Sequence, residues 1–595
     1  MHRNTRPRIL ASDKGSALLI TLLVVTLFII LGVVLLGVVN QGIKSSAAGE
    51  ARIIAESLAQ KGLDEATVAL REAVSSANRT EPDYRQRTEL LEQNLLGMNG
   101  MNSLLSTLEG TYPGAEPRES YEIKIVSDPV ADLKSTPTGR VSVDPDYPYV
   151  RKVTVYSTGK VDMMPAVSVA KSRVMYVNSI NQVMRYAVSA NMEDGEGSPP
   201  ALTMNGAVYT IGDMYVQGDV QMGDQATFLK EPGQTGQIAT TLPALRGFYN
   251  ATGRLINSSG QTFDARSLPV QDTSLEQAER VEVDQTVATV MNRYTGACTL
   301  CLIPPEPMEW PEWILADAEQ EGWKHYDQVW AQISGSSLIR PQAGARPADI
   351  LLTNSLLSME PGSELTVQGG SLTVDYQDPD LVVADLQGTV RLDEGQVLAI
   401  NGNTVIGDGF RLEGGQLFVR GDLKVYGAVK LFGTVYVDGN VELRDISSMN
   451  TGCAEPSEGS CRPLIIAASG SIEIGEYIHD DADTEIAAYL YANGAIKLYG
   501  VYSRLRLVGG IHADQGLELN AVLGELSPLP GAPQSEPIWE RYAIRSQTGL
   551  EPETSRLRIT HDINLYETPP AGIPLAHQFN LYISRTAYES GQEAL

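Results

Sequence analysis

The best polar cluster in the chain is His479-Asp480-Asp481-Ala482-Asp483-Thr484-Glu485. Packed carboxylates of this kind hold calcium through oxygen ligands. They are also the residue type for acid–base work on a uronic-acid polymer. The run lacks the ligand periodicity of an EF-type loop and the glycine at its turn. A solvated loop between strands is the simpler reading. A second acidic cluster, Glu193, Asp194 and Glu196 with Gly195 and Gly197, reads as a turn. The four cysteines form two local pairs, Cys298 with Cys301 and Cys453 with Cys461. Cys453 and Cys461 bracket Ala-Glu-Pro-Ser-Glu-Gly-Ser, an obvious loop, and this pair is the better disulfide candidate. A four-thiolate zinc site would have to join pairs far apart in sequence, and the second pair lacks CxxC spacing. No phosphate loop, GxSxG elbow or HExxH motif occurs, and none of the six histidines is paired at metal spacing. The chain therefore reads as non-enzymatic, with no cofactor and no metal.

At 595 residues the chain is long enough for more than one domain, and 43% hydrophobic content makes it globular. A net charge of −28, with no basic patch interleaved with aromatics, excludes nucleic acid as a partner. Fifty-five glycines against eight phenylalanines favour many short strands joined by tight turns.

The elements that must carry any function begin at the N-terminus. Met1 to Gly15 form a short basic leader of net charge +3, from Arg3, Arg6, Arg8 and Lys14 against Asp13. An uncharged apolar run of 24 residues, Ser16 to Val39, follows. As a helix it spans about 36 Å, enough for a hydrocarbon core of about 30 Å. The anchor residues are Ala17, Leu18, Leu19, Ile20, Leu22, Leu23, Val24, Val25, Phe28, Ile29, Ile30 and Leu31. The positive flank places the N-terminus in the cytoplasm and the bulk outside, on the cell surface, where disulfides persist. A secretory signal peptide cut near Ala47-Ala48-Gly49 is the alternative. Against it, the run is longer than a signal core, and the helical pattern continues through Ile43, Ala47, Ile54, Leu58, Ala66, Ala69, Leu70 and Ala73. Gly32, Gly37 and Gly42 suit close helix–helix approach in lipid.

The junction Lys14-Gly15-Ser16-Ala17-Leu18-Leu19 resembles the leader of type IV pilins and type II secretion pseudopilins. The resemblance covers about Lys14 to Val74. It implies cleavage between Gly15 and Ser16 by a prepilin peptidase and packing against other pilin-like subunits through the N-terminal helix. Major pilins carry Glu five residues past the cut, and Ile20 stands there in this chain. That departure resembles PilX-type minor pilins and the tip-capping pseudopilin, not a repeating filament subunit.

The expected fold is mainly β with a long N-terminal α-helix: a pilin-like α+β head, then a β-solenoid with a small helical insertion. After the leader (1–15), the transmembrane and continuing amphipathic helix covers 16–78 and the head 79–190. Within the head, a helical piece near Thr88 to Leu108 precedes period-two strands at 121–126, 151–161, 166–170 and 172–177. First solenoid strands occupy 191–224. Glycines at 409, 415, 421, 427, 433 and 439 recur every six residues, with units such as Gly-Asp-Leu-Lys-Val-Tyr and Gly-Thr-Val-Tyr-Val-Asp. Five such units in one straight strand would reach about 100 Å, so the chain must turn, and glycine lets it. Only Asp438 supplies a hairpin-type Asp-Gly, so stacked parallel coils fit better than a meander. These units resemble those of bactofilin-type and other β-helix proteins. The solenoid is expected over 346–522 and a C-terminal cap over 523–595. A helical, Trp- and Pro-rich insertion is expected over 225–345, with helices at Ser274–Tyr294 and Pro311–Ile333. Its tryptophans, Trp310, Trp313, Trp323 and Trp330, form either a partner surface or the insertion's own core.

The functional expectation is a membrane-anchored minor pilin-like protein serving pilus or pseudopilus assembly, at a tip or surface. The alternative is a membrane-tethered β-helix protein that binds or acts on cell-surface polysaccharide. A cell-surface glycan or protein remains an open partner in either case.

Overall fold

The computed structural model describes residues 13–80, 84–96, 103–129, 149–162, 166–192, 199–231, 234–257, 259, 261–263, 280–294, 324–339, 349–376, 378, 381–393, 395–450, 463–475, 483–533, 536–545, 551–570 and 572–584. Helix α1 (Asp13–Thr80) is one unbroken element of 68 residues, about 100 Å long. Every residue from Leu19 to Ser46 is exposed. From Ala51 the helix gains a buried stripe: Ala51, Ala55, Leu58, Ala59, Leu63, Ala66, Leu70, Val74 and Ala77. Their three- and four-residue spacing keeps them on one face. Of the periodic positions in the sequence, Leu58, Ala66 and Leu70 lie on that face, whereas Ile43 is 64% exposed. The seat therefore starts later than the pattern suggests.

Two short helices follow, α2 (Tyr84–Leu96) and α3 (Leu104–Leu108). The strands β1 (Gly110–Pro113), β2 (Glu119–Pro129), β3 (Val150–Val161) and β4 (Val167–Ile180) then form an antiparallel sheet. Alternation along β3 turns Val153, Val155 and Val161 toward α1. A fifth strand completes the sheet's edge in the order β1-β2-β3-β4-β8, where β8 is Leu575–Ile583.

Most of the other described residues form a solenoid of short, mostly parallel strands. In its middle each coil has three sides and about three glycine hexads. Arg420 pairs with Asp438 one coil on, and Gly421 and Gly439 lie at the same corner of successive coils. The hexad glycines do make turns: φ is 144° at Gly421, 78° at Gly427 and 101° at Gly433, values costly for any residue with a Cβ. A ladder of side chains closes one corner. Asn403 Oδ1 accepts from the Asp422 amide at 2.9 Å, Asp422 Oδ1 from Asn440 at 2.8 Å, and Asn440 Oδ1 from Ser471 at 3.0 Å. Short polar side chains thus satisfy turn amides that no strand reaches.

Space and sequence are ordered differently. Strand β5 (Val188–Asn191) pairs in parallel with β6 (Arg504–Ala513), so the first solenoid block stacks on the end of the last. The inward stack Leu398, Leu417, Val435, Ile466, Leu490, Ile511, Val188, Met214, Tyr249 crosses this seam unbroken. From β5 the coils run to Leu255–Asn257, which the antiparallel pair Thr262–Phe263 covers. The chain re-enters the solenoid at the opposite end, at Lys324–Asp327, and winds back to the seam. Helix α4 (Val283–Tyr294) lies on the flank, against Val397–Asn401, Gln416–Arg420 and Gly433–Asp438.

Two expectations change. The span 225–345 is not a helical insertion in its described part. It holds a hairpin (Gln225–Ala239), three solenoid strands between 244 and 257, α4, and three more solenoid strands from Lys324 to Ile339. The end of the expected helix Pro311–Ile333 is two of these strands; stacking against the next coil overrides its helical spacing. The described part of 523–595 is not a separate cap. Strand β7 (Leu557–His561) lies inside the solenoid, and β8 belongs to the head.

Candidate functional site: the exposed rod and its seat

The described part of α1 is long and apolar enough to cross a bilayer, with a mean hydropathy of 3.2 in its most apolar stretch. Lys14, Gly15 and Ser16 lie in the first helical turn; their side chains, with those of Ala17 and Leu18, fall outside the described set. Leu19, Ile20, Leu22, Leu23, Val24, Val25, Phe28, Ile29, Ile30 and Leu31 are all exposed, between 41% and 70%. In water that surface is unfavourable at about 25 cal/mol per Å², so its exposure marks a contact with lipid or protein. Within the run the Thr26 hydroxyl donates to Leu22 O at 2.7 Å, which returns that polar group to the helix backbone. Beside Gly32, Gly37 and Gly42 no atom lies within 4 Å of where a Cβ would stand.

The second half of α1 is clamped to the head. At Gly159 of β3 a Cβ would stand 1.9 Å from Ala55 O, so only glycine lets the helix backbone come this close. On the helix side, a Cβ at Gly62 would stand 2.3 Å from the Ser157 hydroxyl of β3. Arg173, almost buried, reaches Asp64 at 3.0 Å and Thr67 at 2.6 Å. Tyr121 donates to Glu65 at 2.6 Å. Helix α2 is fastened by Glu92, which takes two bonds from Arg151, at 2.6 and 2.7 Å, and one from the Tyr149 hydroxyl. Burial, then the Glu92 charge, pushes the Tyr149 phenol well above its ordinary value. On its outward side α1 carries a shallow open groove lined by Ile53, Glu56, Asp64, Val68, Glu72 and, from β4, Lys171.

The seam brings together a constellation that sequence order did not reveal. Ser189 of β5 and His512 of β6 are register partners, with Oγ and Nδ1 2.8 Å apart. His512 Nε2 meets Asp514 Oδ1 at 3.0 Å. Asp514 also accepts from Tyr491 at 2.9 Å and Asn493 at 2.8 Å. Burial alone would raise this carboxyl, but the bonds from His512, Asn493 and Tyr491 hold it below the usual range. Serine, imidazole and carboxylate in a row is the layout of a nucleophilic hydrolase. Here Ser189 and His512 are both 0% exposed, and Tyr491 stacks on the imidazole at 5.0 Å. No acyl substrate reaches Oγ in this arrangement. The network instead satisfies polar groups where two solenoid blocks meet. The missed signal was tertiary: the partners lie 323 residues apart.

Other candidates from the sequence sort as follows. Residues 479–482 lie outside the described set, and Asp483 opens the strand Asp483–Ala492. All four cysteines, Cys298, Cys301, Cys453 and Cys461, lie outside it too, as do Glu193, Asp194, Glu196, Trp310, Trp313 and Trp323. Trp330 is 79% exposed on an outer solenoid face, so it is not the core of an insertion. Among the described residues no group of three His, Cys, Asp or Glu is placed to hold a metal ion. No protein-family model, curated protein or solved structure matches the chain.

Proposed function

We propose that this chain is a non-enzymatic, membrane-anchored, minor pilin-like protein. The N-terminus lies in the cytoplasm and the head and solenoid lie outside. The chain takes part in assembly, tip or surface interaction of a pilus or secretion pseudopilus. One observation carries the reading: α1 runs without a break from a fully exposed apolar rod into a small-residue seat on an antiparallel sheet. A rod built this way moves with its head, so contacts made in lipid set the position of everything outside. Partners on this reading are other pilin-like subunits, along the rod and its glycines, and a prepilin peptidase at Gly15-Ser16. Mass spectrometry of the mature N-terminus tests it. A chain starting at methylated Ser16 supports the reading; one starting near Gly49, or at intact Met1, removes its basis.

A second reading, attachment to cell-surface polysaccharide, has one observation in its favour. Trp330 projects from a flat strand face beside the Gln332–Glu360 pair, which is 3.0 Å apart. An aromatic plane flanked by an amide and a carboxylate suits a sugar ring. Replacing Trp330→Ala and finding unchanged retention on cell-surface glycan would remove it.

A further inference from the structure

The last described stretch, 555–570 with 572–584, touches every large part of the molecule. Strand β7 is held between two solenoid blocks that are distant in sequence. Leu557 pairs with Leu505 and Ile559 with Leu507 on one side, and Arg558 pairs with Tyr209 and Ile559 with Thr210 on the other. Leu557 and Ile559 are 0% exposed in the solenoid core. Beside them the buried Arg556 donates to Tyr502 O at 3.3 Å and Gly524 O at 3.5 Å. The chain then crosses to the head. His561 Nε2 meets Met184 O at 3.1 Å. Glu567 takes Lys152 and the Tyr176 hydroxyl, each at 2.8 Å, and Tyr566 stacks on Tyr582 at 4.4 Å. It ends as β8, paired with β4 from Met175↔Ile583 to Asn178↔Asn580. Phe579 enters the core under α1, and its backbone is held at both N–H and C=O by the side chain of Asn78 on that helix.

The same thirty residues therefore supply the third side of the solenoid seam and the edge strand of the sheet that seats α1. Neither structure is complete without them, and local contacts do not replace them. Docking β8 on β4 closes a loop of about 400 residues. Closure of that size is favoured once the seam has already fixed β7 nearby.

We propose that Ser555–Ser584 is a clasp that makes the helix-bearing head and the solenoid seam open and close as one unit. The head presents a fully seated α1 only after the final segment has docked at both ends. This inference does not depend on the pilin-like reading, because it concerns coupling inside one chain.

Hydrogen exchange on the full-length protein in detergent tests it. Leu557→Ala weakens only the solenoid end of the clasp and touches no head residue. The expected result is at least about tenfold faster exchange at the Met175–Asn178 amides of β4. Leu423→Ala, in the same solenoid core but away from the clasp, should leave those amides unchanged. The reverse experiment is Phe579→Leu, a milder change that covers the case in which Leu557→Ala fails to fold; it should speed exchange at Arg558 and Thr560 of β7. If Leu557→Ala leaves β4 unchanged, or if Leu423→Ala speeds β4 equally, the coupling does not run through this segment. A Phe579→Leu effect confined to the head overturns the proposal as well.

Discussion

Adding one methyl group at Gly159 tests how α1 is attached. The residue lies in β3 between Tyr121 of β2 and Val169 of β4. A Cβ there would stand 1.9 Å from Ala55 O and 2.8 Å from Ala59 N, both backbone atoms of α1. No rotamer relieves a clash with backbone, so the helix must move away by about 1 Å or more along a stripe that runs from Ala51 to Ala77. Overpacking of this kind costs about 1–3 kcal/mol. Alanine is the better strand residue by up to about 1 kcal/mol, because glycine loses more freedom on folding. The net expectation for Gly159→Ala is a loss of about 1–2 kcal/mol, roughly a 5- to 30-fold shift in the local unfolding equilibrium. Hydrogen exchange at Val153–Val161 in detergent, read against urea, measures it. Gly335→Ala is the control: no atom lies within 4 Å of its added methyl, so the change should stay within about 0.5 kcal/mol. A Gly159→Ala protein as stable as the control would mean that α1 does not sit on this sheet as described.

Three further outcomes follow from named contacts. Asp422→Ala removes the acceptor for the Asn440 amide at a solenoid corner and should cost about 1–2 kcal/mol in urea unfolding, whereas Asp422→Asn should recover most of it. Glu92→Leu leaves the Arg151 guanidinium buried without its carboxylate; a loss of about 3–5 kcal/mol is expected, and changing Glu92 and Arg151 together to apolar residues should recover much of it. Stability should fall on acidification in two steps. Burial pushes the His561 imidazole below its ordinary value, so its contribution is present above about pH 6.5 and fades as pH falls through the lower folded value. Asp514 and Glu567, both held below the usual carboxylate range, add a second loss beginning below about pH 4. Asp562, raised by burial, adds stability as pH falls from its raised folded value toward about 3.8, so its gain comes before that second step. Urea midpoints at pH 7 and pH 5.5 should differ less in His561→Gln than in the parent chain.

What was legible in the sequence was what local pattern carries. The apolar run and its helical continuation gave α1. The glycine hexad gave short strands turning at fixed corners, and three hexads proved to make one coil. Two things were not legible. The first is order in space. Val188 stacks on Ile511 and Leu557 on Leu505, pairings that leave no periodic trace because each strand looks like any other. For the same reason 523–595 read as a cap, although β7 and β8 belong to the solenoid and the head. The second is packing by small residues. Ala51, Ala55, Ala59 and Gly159 carry little hydrophobic signal, yet close backbone approach between helix and sheet is their work. The size of Trp330 alone left a partner surface or a core open, and strand alternation turns it outward.

The proposed topology places the exposed half of α1 in a bilayer, with the part seated on the head beginning outside it. Protease added to intact cells from which any outer barrier has been removed tests this most directly. Digestion of the head and solenoid is expected, with survival of a membrane-held fragment that contains Leu19 to Val39 and ends before Ala51. Recovery of the whole chain in the soluble fraction, or full protection of residues 51–584 from the added protease, would contradict it.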